Sequence, residues 1–196
     1  MSSSLPDVIG RLVAARPLQD LAKTLAESTA LSASGLWGSS VAAVVAAVEK
    51  TLARPLLVVC GHLDEADDLA DDIHLFSKKR PEVLPALELG GGLGHMSEEL
   101  VSNRLGLLSR MSAEGGMPRF LIAAIQALMQ PVPSKKQLEQ LLFPIKPGQK
   151  LEAEKLIVWL ADHGYNRLEQ VEVPGDFAVR GGIIDVYIPG EFEVSG

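Results

Sequence analysis

Val173-Pro174-Gly175-Asp176-Phe177-Ala178-Val179-Arg180-Gly181-Gly182-Ile183-Ile184-Asp185-Val186-Tyr187 reads as a hairpin with an arginine beside its turn. Pro174 and Gly175 open a turn, and the pair Gly181-Gly182 supplies the positive φ or close backbone approach that a tight reversal needs. The run 183–188 is β-branched and aromatic, interrupted only by Asp185, so it reads as a strand closing at Pro189. The hairpin fixes Arg180 at one point on the chain. By local chemistry alone, an arginine there is either solvated or a contact for an anion, and the remaining sequence decides between the two.

Upstream, residues 167–173 alternate as a strand, and Gly164 ends a helix over 151–163 whose apolar positions are Leu151, Leu156, Ile157, Trp159 and Leu160. A break at 144–148, rich in Pro and Gly, marks a domain boundary. Residues 135–142 leave the α/β pattern that precedes them. That pattern runs through a strand at 120–124 with a helical turn at 125–129, a helix from Ser97 to about Met111, a strand at 83–89, a helix at 64–76 and a strand at 56–60. Helices over 7–15 and 18–27 precede it, separated by Pro17, and a short strand is expected at 29–33. Lys78, Lys79 and Arg80 suit the C-terminal end of the helix at 64–76.

Between the strand expected at 29–33 and an Ala/Val-rich helix over 41–52 lies Gly35-Leu36-Trp37-Gly38-Ser39-Ser40, where a phosphate-binding loop belongs. A working loop ends in Gly, Lys and Thr or Ser; the lysine neutralises phosphate charge and the hydroxyl holds magnesium. Alignment from Gly35 sets Ser40, Val41 and Ala42 at those three places. The cation and the metal ligand are both missing, and Trp37 enters the loop, so Gly35, Gly38, Ser39, Ser40, Val41 and Ala42 are expected to form a degenerate loop that does not hold ATP. The cluster Gly90-Gly91-Gly92-Leu93-Gly94 reads as a flexible loop, since no Lys or Thr follows it in register.

The 196 residues carry a net charge of −7, with 47% hydrophobic and 22% charged residues. That balance is ordinary for a globular chain and argues against a stand-alone nucleic-acid grip, which needs clustered Lys and Arg. The single cysteine, Cys60, excludes an intrachain disulfide framework and reads as a buried strand thiol, in keeping with a reducing cytoplasm. No stretch reaches the ~18 apolar residues of a membrane span. The acidic run Asp64, Glu65, Asp67, Asp68, Asp71 and Asp72 lacks the alternation and glycine of a calcium loop and reads as a solvated helix face that complements the helix dipole. The four histidines are scattered, with no pair at metal-ligand spacing, and neither a catalytic set nor a metal site is expected.

Several segments now agree. Gly35 to Ser40, Arg54-Pro55-Leu56-Leu57-Val58-Val59, Ala66-Asp67-Asp68-Leu69-Ala70-Asp71-Asp72, Ser102-Asn103-Arg104-Leu105, Ala127-Leu128-Met129-Gln130, Gly164-Tyr165-Asn166-Arg167 and the opening hairpin together resemble the N-terminal region of the bacterial transcription-repair coupling factors, relatives of the excision-repair subunit UvrB. The resemblance implies an α/β fold: a helicase-like, P-loop-derived parallel-sheet domain with a small α+β UvrA-interaction domain at its C-terminal end, truncated. It implies a helical lead over 1–28, a degenerate UvrB-like domain over 29–145 and the incomplete start of the UvrA-interaction domain over 146–196. Arg167, Arg180 and Phe177 are the residues it implies for UvrA contact. A third basic position of the UvrB pattern falls on Ala178, and a Leu-Pro-Tyr-Glu-like stretch of the family is replaced by Gly90 to Gly94.

Met1 reads as a natural start and residues 189–196 stop in mid-domain by family comparison, so an N-terminal fragment is expected. By the same resemblance, this segment carries no cofactor and no ATPase activity. The ATP- and Mg-dependent DNA translocase, and the contacts with RNA polymerase and DNA, lie in further parts of the intact protein. The competing readings are an N-terminal piece of UvrB, disfavoured by Val41 and Ala42, and a nucleotide-dependent doubly wound enzyme, for which no phosphate loop or catalytic set is visible.

Overall fold

The computed structural model describes residues 5–27, 30–87 and 98–188. The chain divides into two compact units, Met1–Ala86 with Arg110–Gln130, and Leu87–Ser109 with Pro131–Gly196. The architecture is mixed α/β, with one small parallel sheet and one small mixed sheet.

The first unit is built around α3 (Ser40–Leu52) and a sheet of β1 (Leu56–Cys60), β2 (Glu82–Val83) and β3 (Phe120–Ala124). The strand order is β1-β3-β2, all parallel, with Val58 opposite Ile122 and Val83 opposite the same Ile122. Phe120–Ala124 is apolar without a break and every residue of it is buried, as a central parallel strand requires. β1 sits at the edge and alternates: Leu56, Val58 and Cys60 face a cluster of Ala42, Ala66, Ile73, Phe120 and Ile122, while Leu57 and Val59 are exposed.

α3 explains its own composition. Ala42 lies in the sheet-side cluster, Ala43 and Ala46 meet Ile9 of α1 (Leu5–Ala14), and Ala47 and Val48 meet Leu18 of α2 (Arg16–Glu27). A helix packed on several sides gains from small residues that let its neighbours approach, and alanine also has the highest helix propensity. The helices of the N-terminal lead therefore lie inside the first unit. Pro17 does not separate α1 from α2 by a loop; it occupies the first turn of α2, where the N–H it lacks would have no intrahelical partner.

α4 (Leu63–Ser77) starts at His62, with Glu65 Oε2 accepting the N–H of Gly61 at 3.0 Å and of His62 at 3.3 Å. It ends on Lys78, whose φ of 59° is left-handed and whose N–H donates to His74 O. Lys79, expected at the helix end as a cap, reaches instead to Glu49, a carboxylate only 1% exposed. Lys79 Nζ donates to both Glu49 oxygens at 2.8 Å, and Arg119 donates to Oε1 from Nε at 2.6 Å and from a terminal nitrogen. This network ties α3 to the chain following α4 and to the start of β3. Burial pushes the Glu49 carboxyl up, but hydrogen bonds from Lys79 and then Arg119, with their charges, outweigh it and hold the group below the ordinary carboxylate range.

A carboxyl depressed in the folded state stabilises the fold above its unfolded value, about 4.3, and that contribution disappears as pH falls through the folded value. Glu49→Gln should lower stability at pH 7 by about 2 kcal/mol, less than a fully buried pair because Lys79 and Arg119 can regain water. The gap should close in acid. Denaturant midpoints of both proteins between pH 7 and pH 3 check this; a gap of constant size would contradict it.

The strand expected at 29–33 is not formed: residues 30–37 have no regular structure, and β1 pairs only with β3 among the described residues. Leu31, its one large aliphatic residue, is exposed and offers no packing to hold an added strand. The strand expected at 83–89 contracts to Glu82–Val83, continued by Leu84 N–H to Ile122 O at 2.8 Å and then stopped by Pro85. Residues 88–89 and the glycine run 90–94 lie outside the described residues, as does the expected helix start at Ser97; α5 is described from Glu98 to Ser112. A short α6 (Ile125–Leu128) follows β3.

The second unit holds α7 (Lys135–Leu141), capped by Ser134 Oγ accepting from Gln137 N–H, and α8 (Ala153–Asp162). Its sheet is β4 (Asn166–Leu168), β5 (Asp176–Arg180) and β6 (Ile183–Val186), in that order. β4 runs parallel to β5 and β5 antiparallel to β6. Leu156 and Leu160 of α8 close on Phe177, with Phe143, Leu151, Trp159, Tyr165, Val179, Ile184 and Val186 around them. β4 is shorter than the alternation over 167–173 predicts, because Asp176 draws the chain into a turn. Its Oδ2, 2% exposed as a residue, accepts the N–H groups of Val173 at 3.0 Å and Glu172 at 3.3 Å.

Candidate docking surface

The two stretches singled out in the sequence fall in different units. In the first, Gly35 and Gly38 adopt left-handed φ of 81° and 52°, as a tight glycine loop demands. Ser40 Oγ accepts the N–H of Trp37 and donates to the carbonyl of Trp37, both at 2.8 Å. The N–H of Ser40 donates to Trp37 O and that of Val41 to Gly38 O. Donors that would face a phosphate in a working loop are thus engaged within the turn itself. Ser39 stands at the helix start without a side-chain cap bond, Val41 is half-buried, and Ala42 lies wholly in the core. Neither a cation nor a metal-binding hydroxyl stands at the positions ATP and magnesium require, so the residues present do not fit that cofactor. Trp37 is 84% exposed.

Cys60, expected to be buried, is half-buried on the inner side of β1. Its thiol donates to His62 O at 3.4 Å and is pushed up in pKa by burial and then by the Glu65 charge, which makes it a poor nucleophile. Among the described residues no group of three His, Cys, Asp or Glu side chains is gathered to hold a metal ion.

The second unit carries the arginines. The two-residue turn Gly181-Gly182, with φ of 58° at Gly181, sets Arg180 opposite Ile183 and Ala178 opposite Asp185. Arg167 on β4 stands opposite Phe177. Strict alternation along the strands would send Arg167 and Arg180 to opposite faces, since they match positions 177 and 180 of β5. Both nonetheless line one shallow groove with Leu168, Glu169 and Val179, at the C-terminal ends of the two parallel strands. Arg180 is ion-paired to Asp185 and remains largely exposed. Among the described residues Arg167 has no ion-pair partner. Exposed apolar residues of the same unit, Leu168, Val173, Ile183, Tyr187 and Ile188, add contact area of the kind interfaces use.

Phe177 is different. It is 1% exposed and packs on Leu156 and Leu160, so its ring supports the sheet from behind and presents nothing outward. Ala178, opposite Asp185, is fully buried, so its methyl group offers no surface to a partner. The hairpin pattern brought Arg180 to attention and the family resemblance brought Arg167, but neither pointed to Asp185 as the partner of Arg180. The available signal was a lone carboxylate in an otherwise apolar strand.

A mixed sheet backed by one helix leaves its other side open, with exposed apolar residues there and both arginines in the groove at the strand ends. Residues 143–194 match the UvrB interaction domain. The chain is 31% identical over 157 residues to the transcription-repair-coupling factor of Bacillus subtilis (strain 168), a match that takes in 78% of this chain and 13% of the relative. It is 31% identical over 156 residues to that of Mycobacterium tuberculosis (72% of this chain, 12% of the relative) and 27% identical over 157 residues to that of Escherichia coli K12 (79% and 13%). The chain is thus similar to a part of the transcription-repair-coupling factors, and it spans about an eighth of the length of these relatives.

Proposed function

We propose that this chain docks UvrA through the open side of its second unit, and so recruits nucleotide excision repair to stalled RNA polymerase. The observation that carries the reading is the coincidence of the UvrB interaction domain match with a sheet whose groove is lined by Arg167 and Arg180. Arginine forks recognise carboxylates bidentately and steer association over distance. Phe177 serves this surface from beneath, by packing. Charge reversal at Arg167 and Arg180 together should abolish capture of UvrA, and undiminished capture would sink the reading.

The ATP-driven DNA translocase, with its ATP and magnesium, and the contacts with RNA polymerase and DNA belong in this reading to further parts of a longer protein. The first unit is then a reduced motor domain, which its parallel β1-β3-β2 sheet and the glycine loop before α3 support. Its loop should be silent toward nucleotide. Calorimetric titration with Mg·ATP should give no saturable heat, and a millimolar or tighter affinity would overturn that expectation. A cytoplasmic site of action belongs to the same reading; no described helix is long and apolar enough to cross a membrane.

A further inference from the structure

Asp185 is the residue of the hairpin that the docking reading leaves without a role. It interrupts a strand otherwise made of Ile183, Ile184 and Val186, where a carboxylate is disfavoured. Its cross-strand neighbour is Ala178, which has no polar group to meet it, and Arg180 is the diagonal neighbour on the same face. Asp185 Oδ2 accepts a hydrogen bond from one terminal nitrogen of Arg180. The carboxylate side chain is 35% exposed and the arginine side chain 64%, so the pair sits at the surface with the arginine outermost.

Arg167 and Arg180 are therefore not equivalent. Arg167 is exposed and makes no ion pair or side-chain hydrogen bond among the described residues, whereas Arg180 is tethered at the end of a short, register-locked hairpin. We propose that Asp185 is a positioning residue for docking: it holds the Arg180 guanidinium so that its remaining N–H donors meet a carboxylate of an acidic protein surface. The inference rests on the reading of this unit as the UvrA dock and deepens it. An arginine side chain loses rotational freedom when it is fixed in an interface, and a tether already present in the free protein reduces that loss. The contact with Asp185 uses one terminal nitrogen, so the fork is not filled.

The test is titration of UvrA into the 196-residue chain at fixed ionic strength, comparing wild type, Asp185→Asn, Asp185→Ala, Arg180→Ala and the double variant Arg180→Ala/Asp185→Ala. Asp185→Ala should weaken binding roughly three- to tenfold, the loss expected when one side chain must be ordered anew. Asp185→Asn keeps an oxygen acceptor and should recover part of it. In the Arg180→Ala background, Asp185→Ala should change nothing further. A residue that merely stabilised the hairpin would show the same loss in both backgrounds, and that result would overturn the proposal, as would unchanged or tighter binding by Asp185→Ala. If reversal of Arg167 and Arg180 abolishes binding while Asp185→Ala is silent, docking stands and positioning falls. If wild type itself fails to bind UvrA, both fall.

Discussion

Phe177→Ala should cost the second unit about 3–5 kcal/mol, the loss expected for emptying a phenylalanine site in a closed core. Phe177 is 1% exposed, with Leu156 and Leu160 of α8 against it and Val179, Ile184 and Val186 beside it on the sheet. No other contact cluster joins helix to sheet in this unit among the described residues. Whole domains have net stabilities of about 5–15 kcal/mol, so a small unit that loses this ring is left with little. Trp159 lies in the same cluster and reports on it, while Trp37 belongs to the first unit. In a Trp37→Phe background, fluorescence-monitored urea unfolding therefore isolates the second unit. The transition should move to much lower urea for Phe177→Ala and only partly for Phe177→Leu. A cost below about 1 kcal/mol would show that the ring is not a core element, since surface substitutions stay within such limits. UvrA binding should be lost with Phe177→Ala and kept with Phe177→Leu. A direct ring contact would instead be damaged by both.

Much of this fold was legible because its strongest signals are local. Residues 120–124 form the strand expected of an unbroken apolar run, and the helices at 64–76 and 151–163 appear as Leu63–Ser77 and Ala153–Asp162. The hairpin was legible because Gly181-Gly182, between two β-prone runs, can adopt the positive φ that a two-residue turn requires. Signals that depend on distant partners were not legible. Glu49 reads as one polar residue at the end of an apolar helix, and nothing near it in sequence points to Lys79 or Arg119, 30 and 70 residues away. The strand expected at 29–33 rests on a Thr-Ala-Leu-Ser-Ala run with little β-propensity, and a strand also needs an edge to pair with and a face to bury, neither of which engages residues 30–37. At the docking surface, Arg180 was recognisable by its place beside a turn, whereas Arg167 was reached only through the family resemblance. Phe177 looked like a contact because it lies in the same motif, and only the packing of α8 reveals that it faces inward.

The second large effect concerns charge. Arg167 and Arg180 line one groove, and a partner that fits it must offer carboxylates there. Replacing both by glutamate removes two attractions and adds two repulsions. Truncating one partner of a desolvated charged pair typically costs about 2–5 kcal/mol, so a double reversal should weaken binding by more than about a thousandfold. Both side chains are exposed, and Arg167 makes no hydrogen bond or ion pair among the described residues, so stability should change little; Arg180 gives up its pair with Asp185, a surface ion pair worth about 0–1 kcal/mol. Wild-type affinity should also fall with added salt through slower association, as steering between opposite charges is screened. Single reversals should each have a smaller effect, with Arg180→Glu the more damaging to geometry, because it also sets a glutamate beside Asp185.

The most direct measurement is the affinity of Arg167→Glu/Arg180→Glu for UvrA by calorimetry, with thermal unfolding of the same variant as a control. The docking account predicts no measurable binding at concentrations where wild type saturates, together with an unfolding temperature close to that of wild type. Wild-type affinity retained by a folded double variant would contradict it.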